Sequence, residues 1–282
     1  MRKLQSALQS WRSGGWRLRV AVLLLGLSLG LWTRPPVLAG PLSDRLAAFP
    51  NWDAPPPGKV AQGELIYPDW FEGTWQATST LRQALAPLAP EIVTPGFENN
   101  RQLLDQPVQF TVRFYNQRLA PPLKAQRGIT QFPAPALQGI VADRRFNSVS
   151  LGKATLGEGS VRSVSIDPED PRRLVTQFRQ GQQLVSESRE RATESTPQRW
   201  MTSELFQQTF RSPPQIYLNR VENTTDYHQV DSRHIAARQI TAIYLSPQDP
   251  DFFRARNRPV ALYQYELMLE KPGSESPDRP IP

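Results

Sequence analysis

Through the middle of the chain, apolar and polar residues change places at every second position. Val108, Phe110, Val112 and Phe114 alternate with Gln109, Thr111 and Arg113; Ala261, Tyr263, Tyr265, Leu267 and Leu269 alternate with Leu262, Gln264, Glu266 and Met268. A period of two sets neighbouring side chains on opposite faces of an extended strand. The same reading predicts strands at Glu72–Leu81, Val161–Ile166, Leu174–Phe178, Leu184–Ser188, Trp200–Phe210, Tyr217–Asn223 and Ile235–Leu245. Turn signals such as Asp167-Pro168-Glu169-Asp170-Pro171 and Gln180-Gly181 separate them. About nine short strands with turns between them predict a mainly β domain, a closed barrel or a sandwich. Val141 to Leu156 departs from this rhythm. Its Val141, Arg145 and Val149 recur at helical spacing, which predicts a short helix over one end of the sheet.

Both ends of the chain read differently from the body. Gly40 to about Gln62 is an arm whose stretch Phe49-Pro50-Asn51-Trp52-Asp53-Ala54-Pro55-Pro56-Pro57-Gly58 is too rich in proline for helix or central strand. Its two aromatics predict packing against the body rather than a loose tether. Pro272–Pro282 holds four prolines among serines and charges and is expected to be disordered. Residues 63–271 between these ends show no linker or repeat and are expected to form a single domain.

Charge changes the picture at the N-terminus only. The 282 residues carry 33 Lys+Arg against 26 Asp+Glu, a net +7. Arg2, Lys3, Arg12, Arg17, Arg19 and Arg34 stand in a segment, 1–39, that has no acidic residue, so the remainder is close to neutral. The basic excess therefore does not point to nucleic acid as a partner. Val20–Leu31 is apolar apart from glycines and Ser28, and Val37-Leu38-Ala39 offers a small-residue cleavage site before Gly40. That is the three-part pattern of a signal peptide. An uncleaved anchor is the alternative, but about 20 apolar residues are needed to span a bilayer and the run here is shorter. The mature protein is expected outside the cytoplasm and not membrane-spanning. Zero cysteines exclude disulfides and thiolate metal sites, and two histidines leave little for metal or acid–base chemistry.

Phe71-Glu72-Gly73-Thr74-Trp75 is the most informative local string. Gly-x-Trp at the start of a first barrel strand resembles the lipocalin and wider calycin pattern, including nitrobindin-like barrels. Glycine permits tight entry of the chain, and tryptophan is large enough to plug a tapering end. Gly73 and Trp75 are thus structural candidates, and the resemblance favours a lipocalin-like meandering antiparallel barrel. More widely, the leader, Pro68-Asp69-Trp70-Phe71-Glu72-Gly73-Thr74-Trp75 and Ala142-Asp143-Arg144-Arg145-Phe146-Asn147 resemble an uncharacterised family of cyanobacterial and plastid proteins directed to the thylakoid lumen. That resemblance implies a photosynthetic lineage and a lumenal or periplasmic location, and no established activity.

Candidate chemistry is sparse. His228 and His234 belong to no strong metal spacing and read as loop or surface residues; the nitrobindin resemblance would allow one of them as a haem ligand. No Gly-x-Ser-x-Gly elbow is present, so we expect no enzyme, no catalytic residue, no metal and no cofactor. The alternating signs of Glu187–Glu194 suggest an exposed hairpin edge. Arg144 and Arg145 could present two guanidinium groups to an anionic head group, or form local ion pairs on a solvated helix. In Ile235–Leu245 one of Arg238 and Gln239 must point inward, so Arg238 would need a carboxylate such as Glu222 or Glu266, or a ligand. Trp75, Phe110, Arg238, Tyr263 and Tyr265 are accordingly the candidate ligand-binding residues. Two functions compete: a carrier of a small apolar or amphipathic ligand, or a factor docking through Trp52, Trp70 and Phe71 on a photosynthetic membrane complex. A filled interior favours the second and an open cavity the first.

Overall fold

The computed structural model describes residues 40–119 and 137–272. The expected signal peptide, residues 120–136, and all but the first residue of the expected tail lie outside the described residues. Strands β1 (Lys59–Val60), β2 (Gly73–Leu85), β3 (Pro107–Leu119), β4 (Leu137–Ala142), β5 (Val161–Ile166), β6 (Arg173–Phe178), β7 (Gln183–Ser195), β8 (Arg199–Ser212), β9 (Gln215–Gln229), β10 (His234–Leu245) and β11 (Ala261–Glu270) build one sheet. Helices are few and short: α1 (Pro41–Ala47), α2 (Phe97–Arg101), α3 (Arg144–Leu156) and α4 (Phe252–Ala255). The strands follow the order β4-β3-β2-β11-β10-β9-β8-β7-β6-β5, and β1 lies off this path on β7.

Every pairing along the path is antiparallel and, except for β2 with β11, joins neighbours in the chain. The meander therefore curls until its first and last long strands meet, and the sheet ends instead at β4 and β5. Those two edges are consecutive in sequence, joined by α3, which packs on both β3 and β5. The result is a curled antiparallel half-barrel split at one place and spanned there by a helix.

Side chains of α3 do the work of a missing strand. Beyond Phe114, where pairing with β4 stops, the edge of β3 would expose bare backbone groups. Asn147 Oδ1 accepts from Arg113 N (2.8 Å), Asn147 Nδ2 donates to Arg113 O (3.1 Å), and Ser150 Oγ accepts from Thr111 N (2.9 Å). Asp143 caps the helix by accepting from Phe146 N (3.0 Å), and Arg113 pairs with Asp143 while lying over the Phe146 ring. On the other flank Gly152 is needed for close approach: a Cβ there would stand 2.5 Å from Val161 Cγ2 of β5. The string Asp143–Asn147 is thus the device that stitches the split. Arg145 remains exposed.

One end is plugged by aromatics. Gly73 enters β2 with φ +121°, and Trp75 is buried with Nε1 donating to Phe71 O (2.7 Å). Tyr67, Phe71, Phe114, Trp200 and Tyr227 crowd beside it with ring centroids 4.8–5.6 Å apart. Trp52 and Phe71 are buried and Trp70 is half-buried, so the three aromatics expected to serve docking belong to the fold instead.

The arm packs on the outer face. Leu42, Leu46 and Trp52 bury against Met201, Leu205, Ile240, Ala242, Tyr244 and Leu262. Arg45 forks onto the fully buried Glu222 (Nε–Oε1 and Nη2–Oε2, both 2.6 Å), with Tyr244 and Thr224 donating to the same carboxylate. Burial beside that carboxylate holds the Tyr244 phenol far above its ordinary value. Glu187–Glu194, expected at a hairpin edge, lies inside β7 between β8 and the strands β6 and β1. Its charges are matched by Arg172, Arg189 and Glu204 rather than spent on keeping an edge free.

Candidate functional site

Alternation assigns the inner face. Ala77, Phe110, Val112, Phe114, Leu267 and Leu269 share one side of the sheet with Ser186, Arg191, Glu204, Gln208, Asn223 and Gln239, and all twelve line one cavity of about 560 Å³. The helix α3 roofs it with Asn147, Ser148, Leu151, Gly152 and Thr155, residues at helical spacing on one side. Apart from Leu151 these are small or polar, and α3 buries none of its residues, so the roof does not fill the space beneath it. The interior is open rather than packed.

The walls differ. Strands β2, β3 and β11 contribute mostly aliphatic and aromatic side chains; β7 to β10 contribute mainly amides, hydroxyls and one ion pair, with Leu184 and Phe206 as apolar exceptions. In register, Arg191 faces Glu204, Glu204 faces Asn223, and Asn223 faces Thr241, a polar row across four strands. Thr241 Oγ1 donates to Asn223 Oδ1 (2.8 Å), and Gln239 Nε2 donates to Thr241 Oγ1 (3.2 Å). Arg191 and Glu204 lie 2.8 Å apart with side chains 15% and 17% exposed. A second ionic group stands where α3 begins: Arg144 is 3.4 Å from Glu64 and donates to the carbonyls of Pro171 and Arg172. The aromatic plug closes this end, and its burial raises Tyr67 well above the ordinary phenol and pushes Tyr227 up to about 12. At the other end Leu156, 62% exposed, stands with Phe178 and Phe210 along the rim of a second recess that shares Leu156 and Phe178 with the cavity.

Of the five residues expected to bind a ligand, Phe110 alone lines the cavity. Trp75 belongs to the plug. Tyr263 and Tyr265 face inward but pack with Leu81, Phe97 and Leu104 where α2 covers the sheet, and burial pushes Tyr265 up to about 12. Arg238 points to the outer face, where Nη2 donates to Gln264 Oε1 (2.9 Å) and the Phe49 ring of the arm lies 5.5 Å away. Neither expected carboxylate is its partner, because Glu222 takes Arg45 and Glu266 takes Arg82. Gln239 is the residue that turns inward. His228 and His234 project outward beside Asp226 and Asp231, away from the cavity, so neither imidazole reaches a group held inside.

Sequence reasoning missed Arg191 and Glu204, although a signal exists. The turn at Thr196-Pro197-Gln198 pairs Ser195 with Trp200, and counting back from it sets Arg191 opposite Glu204. It also missed the 3₁₀ turn at Asp69–Phe71 and the short helix α2, which carry little periodicity.

A family model described as a domain of unknown function, DUF6816, matches residues 59–273, from β1 to just past β11. The chain belongs to the DUF6816 family. Its matched segment includes the whole cavity, α3 and the split, whereas α1 and Trp52 of the arm precede it. No curated protein and no solved structure matches the chain.

Proposed function

We propose that this DUF6816 protein is a non-enzymatic carrier that holds a small amphipathic molecule inside its split barrel. The observation that carries the reading is the open interior of about 560 Å³ with one apolar and one polar wall. A volume of that size lies in the range of small-molecule sites, which are mostly apolar with a few placed polar groups. An empty apolar interior forfeits packing contacts that a core would otherwise gain, so leaving it unfilled costs stability unless a ligand takes the place of side chains. The half-exposed apolar rim at Leu156, Phe178 and Phe210 suits entry of such a molecule. The signal-peptide pattern before Gly40 supports export, and the resemblance to thylakoid-lumen proteins supports a role beside photosynthetic membranes. The docking alternative loses its motive with Trp52 and Phe71 inside the fold.

The test is native mass spectrometry and absorbance on protein purified from its own source. A mass in excess of the processed polypeptide, lost on organic extraction, is the expected result. A bare polypeptide mass together with no uptake of an apolar dye into the purified protein would refute the carrier reading. N-terminal sequencing of the same sample checks export: it is expected to begin at or within a few residues of Gly40, and intact Met1 would contradict it.

A further inference from the structure

Several carboxylate–guanidinium pairs are largely shielded among the described residues, and three of them are not built alike. Arg45 uses two nitrogens on the two oxygens of Glu222 (2.6 and 2.6 Å), and Arg199 does the same on Asp226 (2.8 and 3.0 Å). These fork-to-fork arrangements satisfy both oxygens and add geometric order. Arg191 is different. Its Nε and Nη2 converge on a single oxygen, Glu204 Oε1, at 3.0 and 2.8 Å, and Ser188 Oγ donates to that same atom at 3.1 Å. Among the described residues no hydrogen bond reaches Glu204 Oε2 or Arg191 Nη1. Both side chains line the cavity. In a pair that lines the cavity, the Oε2 acceptor and the Nη1 donors are thus unspent.

Resting on the carrier reading, we propose that the Arg191–Glu204 pair receives the polar end of the ligand, and that this end is an uncharged group which both donates and accepts, of the carboxamide or lactam class. The pair is already neutral. A ligand carboxylate would find Arg191 but meet Glu204 as a like charge, and an ammonium would find Glu204 but meet Arg191. Either would bring an uncompensated charge into a space with an apolar wall, which is costly. A carboxamide offers its N–H to Glu204 Oε2 and its C=O to Arg191 Nη1, and it adds no charge. Asn223, next in the polar row, supplies a further amide to the same end. Phe110, Val112 and Leu267 on the facing wall take the apolar body.

The experiment compares ligands of equal chain length: decanamide, decanoate, decylamine and decane, each displacing a neutral naphthylamine dye from the purified full chain. Two added hydrogen bonds of ordinary strength correspond to about a tenfold gain, so decanamide is expected to displace the dye about tenfold more tightly than any of the others. Glu204→Gln is expected to move the preference to decanoate, and Arg191→Gln to move it to decylamine. A structural role for the pair would weaken all four ligands together and would not reorder them. If the dye binds but the wild-type protein ranks the four by apolarity alone, or ranks either ion first, this inference fails and the carrier reading stands. If the dye does not bind a protein whose native mass is that of the bare polypeptide, both fail. The wild-type ranking decides the matter even if a variant does not fold.

Discussion

Replacing Gly152 with alanine asks whether α3 is a fitted part of the barrel or a loose cover. The added Cβ stands 2.5 Å from Val161 Cγ2, where ordinary contacts fall between 3.4 and 4 Å. Val161 is β-branched, only 9% exposed and fixed in β5, so it has no cheap rotamer in which to retreat. Two effects of opposite sign compete. Alanine in a helix interior is favoured over glycine by about 1 kcal/mol. Overpacking of a fitted contact costs about 1–3 kcal/mol. The steric effect is expected to win, with a net loss of about 1 kcal/mol and a Tm lower by about 3 °C for a domain of this size. Removing the obstacle reverses the sign: on a Val161→Ala background, Gly152→Ala is expected to gain about 1 kcal/mol, the helix preference alone. Urea unfolding of the four proteins, followed by tryptophan fluorescence, completes the cycle. A higher midpoint for Gly152→Ala alone would mean that α3 does not seat on β5 and that the split is not closed as described.

Other expected outcomes concern the outer face, the plug and the phenols. Arg45→Met leaves the buried Glu222 carboxylate without its cation and is expected to cost about 3–5 kcal/mol in urea unfolding; adding Glu222→Gln should recover part of it, and no recovery would argue that lost packing dominates. Trp75→Ala is expected to lose about 3–5 kcal/mol, and an unchanged Tm would show that the plug does not depend on it. Tyr227 titrates near 12 when folded and near 10 when unfolded, because burial disfavours the phenolate. Its contribution is intact below pH 10 and is lost as pH rises from 10 to 12, since the unfolded chain then releases the proton first. About 2–3 kcal/mol of destabilisation follows from two pKa units. Stability in urea unfolding should therefore fall as pH rises from 10 to 12, and a stability that stays level across that window would contradict the burial.

How much of this was legible follows from which faces are covered. Strands such as β3 and β11 announce themselves by alternation; the expected helix lies within its span, at Arg144–Leu156, but Val141, one of the three residues whose spacing suggested it, belongs to β4 and Arg145 is exposed. Alternation fails in β10 for a physical reason. Ile235, Ala237 and Ile243 face the interior, while Ile240, Ala242 and Tyr244 lie under the arm, so both faces carry apolar residues and parity cannot say whether Arg238 or Gln239 is inside. In β7 a bulge at Arg189 switches parity, bringing Ser188 and Arg191 to the same face although their numbers differ by an odd count. The charges of Glu187–Glu194 looked like edge protection because local sequence does not reveal that two other elements flank them. The split itself had no local signature either, since Asn147 and Ser150 act on backbone 34 to 39 residues away.

The pairing of β2 with β11 has a bearing on how the chain reaches this state. Gln76 meets Glu270 across about 190 residues of intervening sequence, whereas most other strand pairs along the path are joined by short turns. Closing a loop of that length costs about 3 kcal/mol more entropy than closing a hairpin of a few residues. The local hairpins from β5 through β11 can form without that cost, so the junction between β2 and β11 is expected to be the late, rate-limiting event of folding. A circular permutant follows directly. Joining the chain near Lys271 to the segment before Gly73 and opening it within α3 would make strand order and chain order identical, β5 to β11 and then β2 to β4. Such a permutant should fold faster than the natural chain, and at the same stroke lose the helix that covers the cavity.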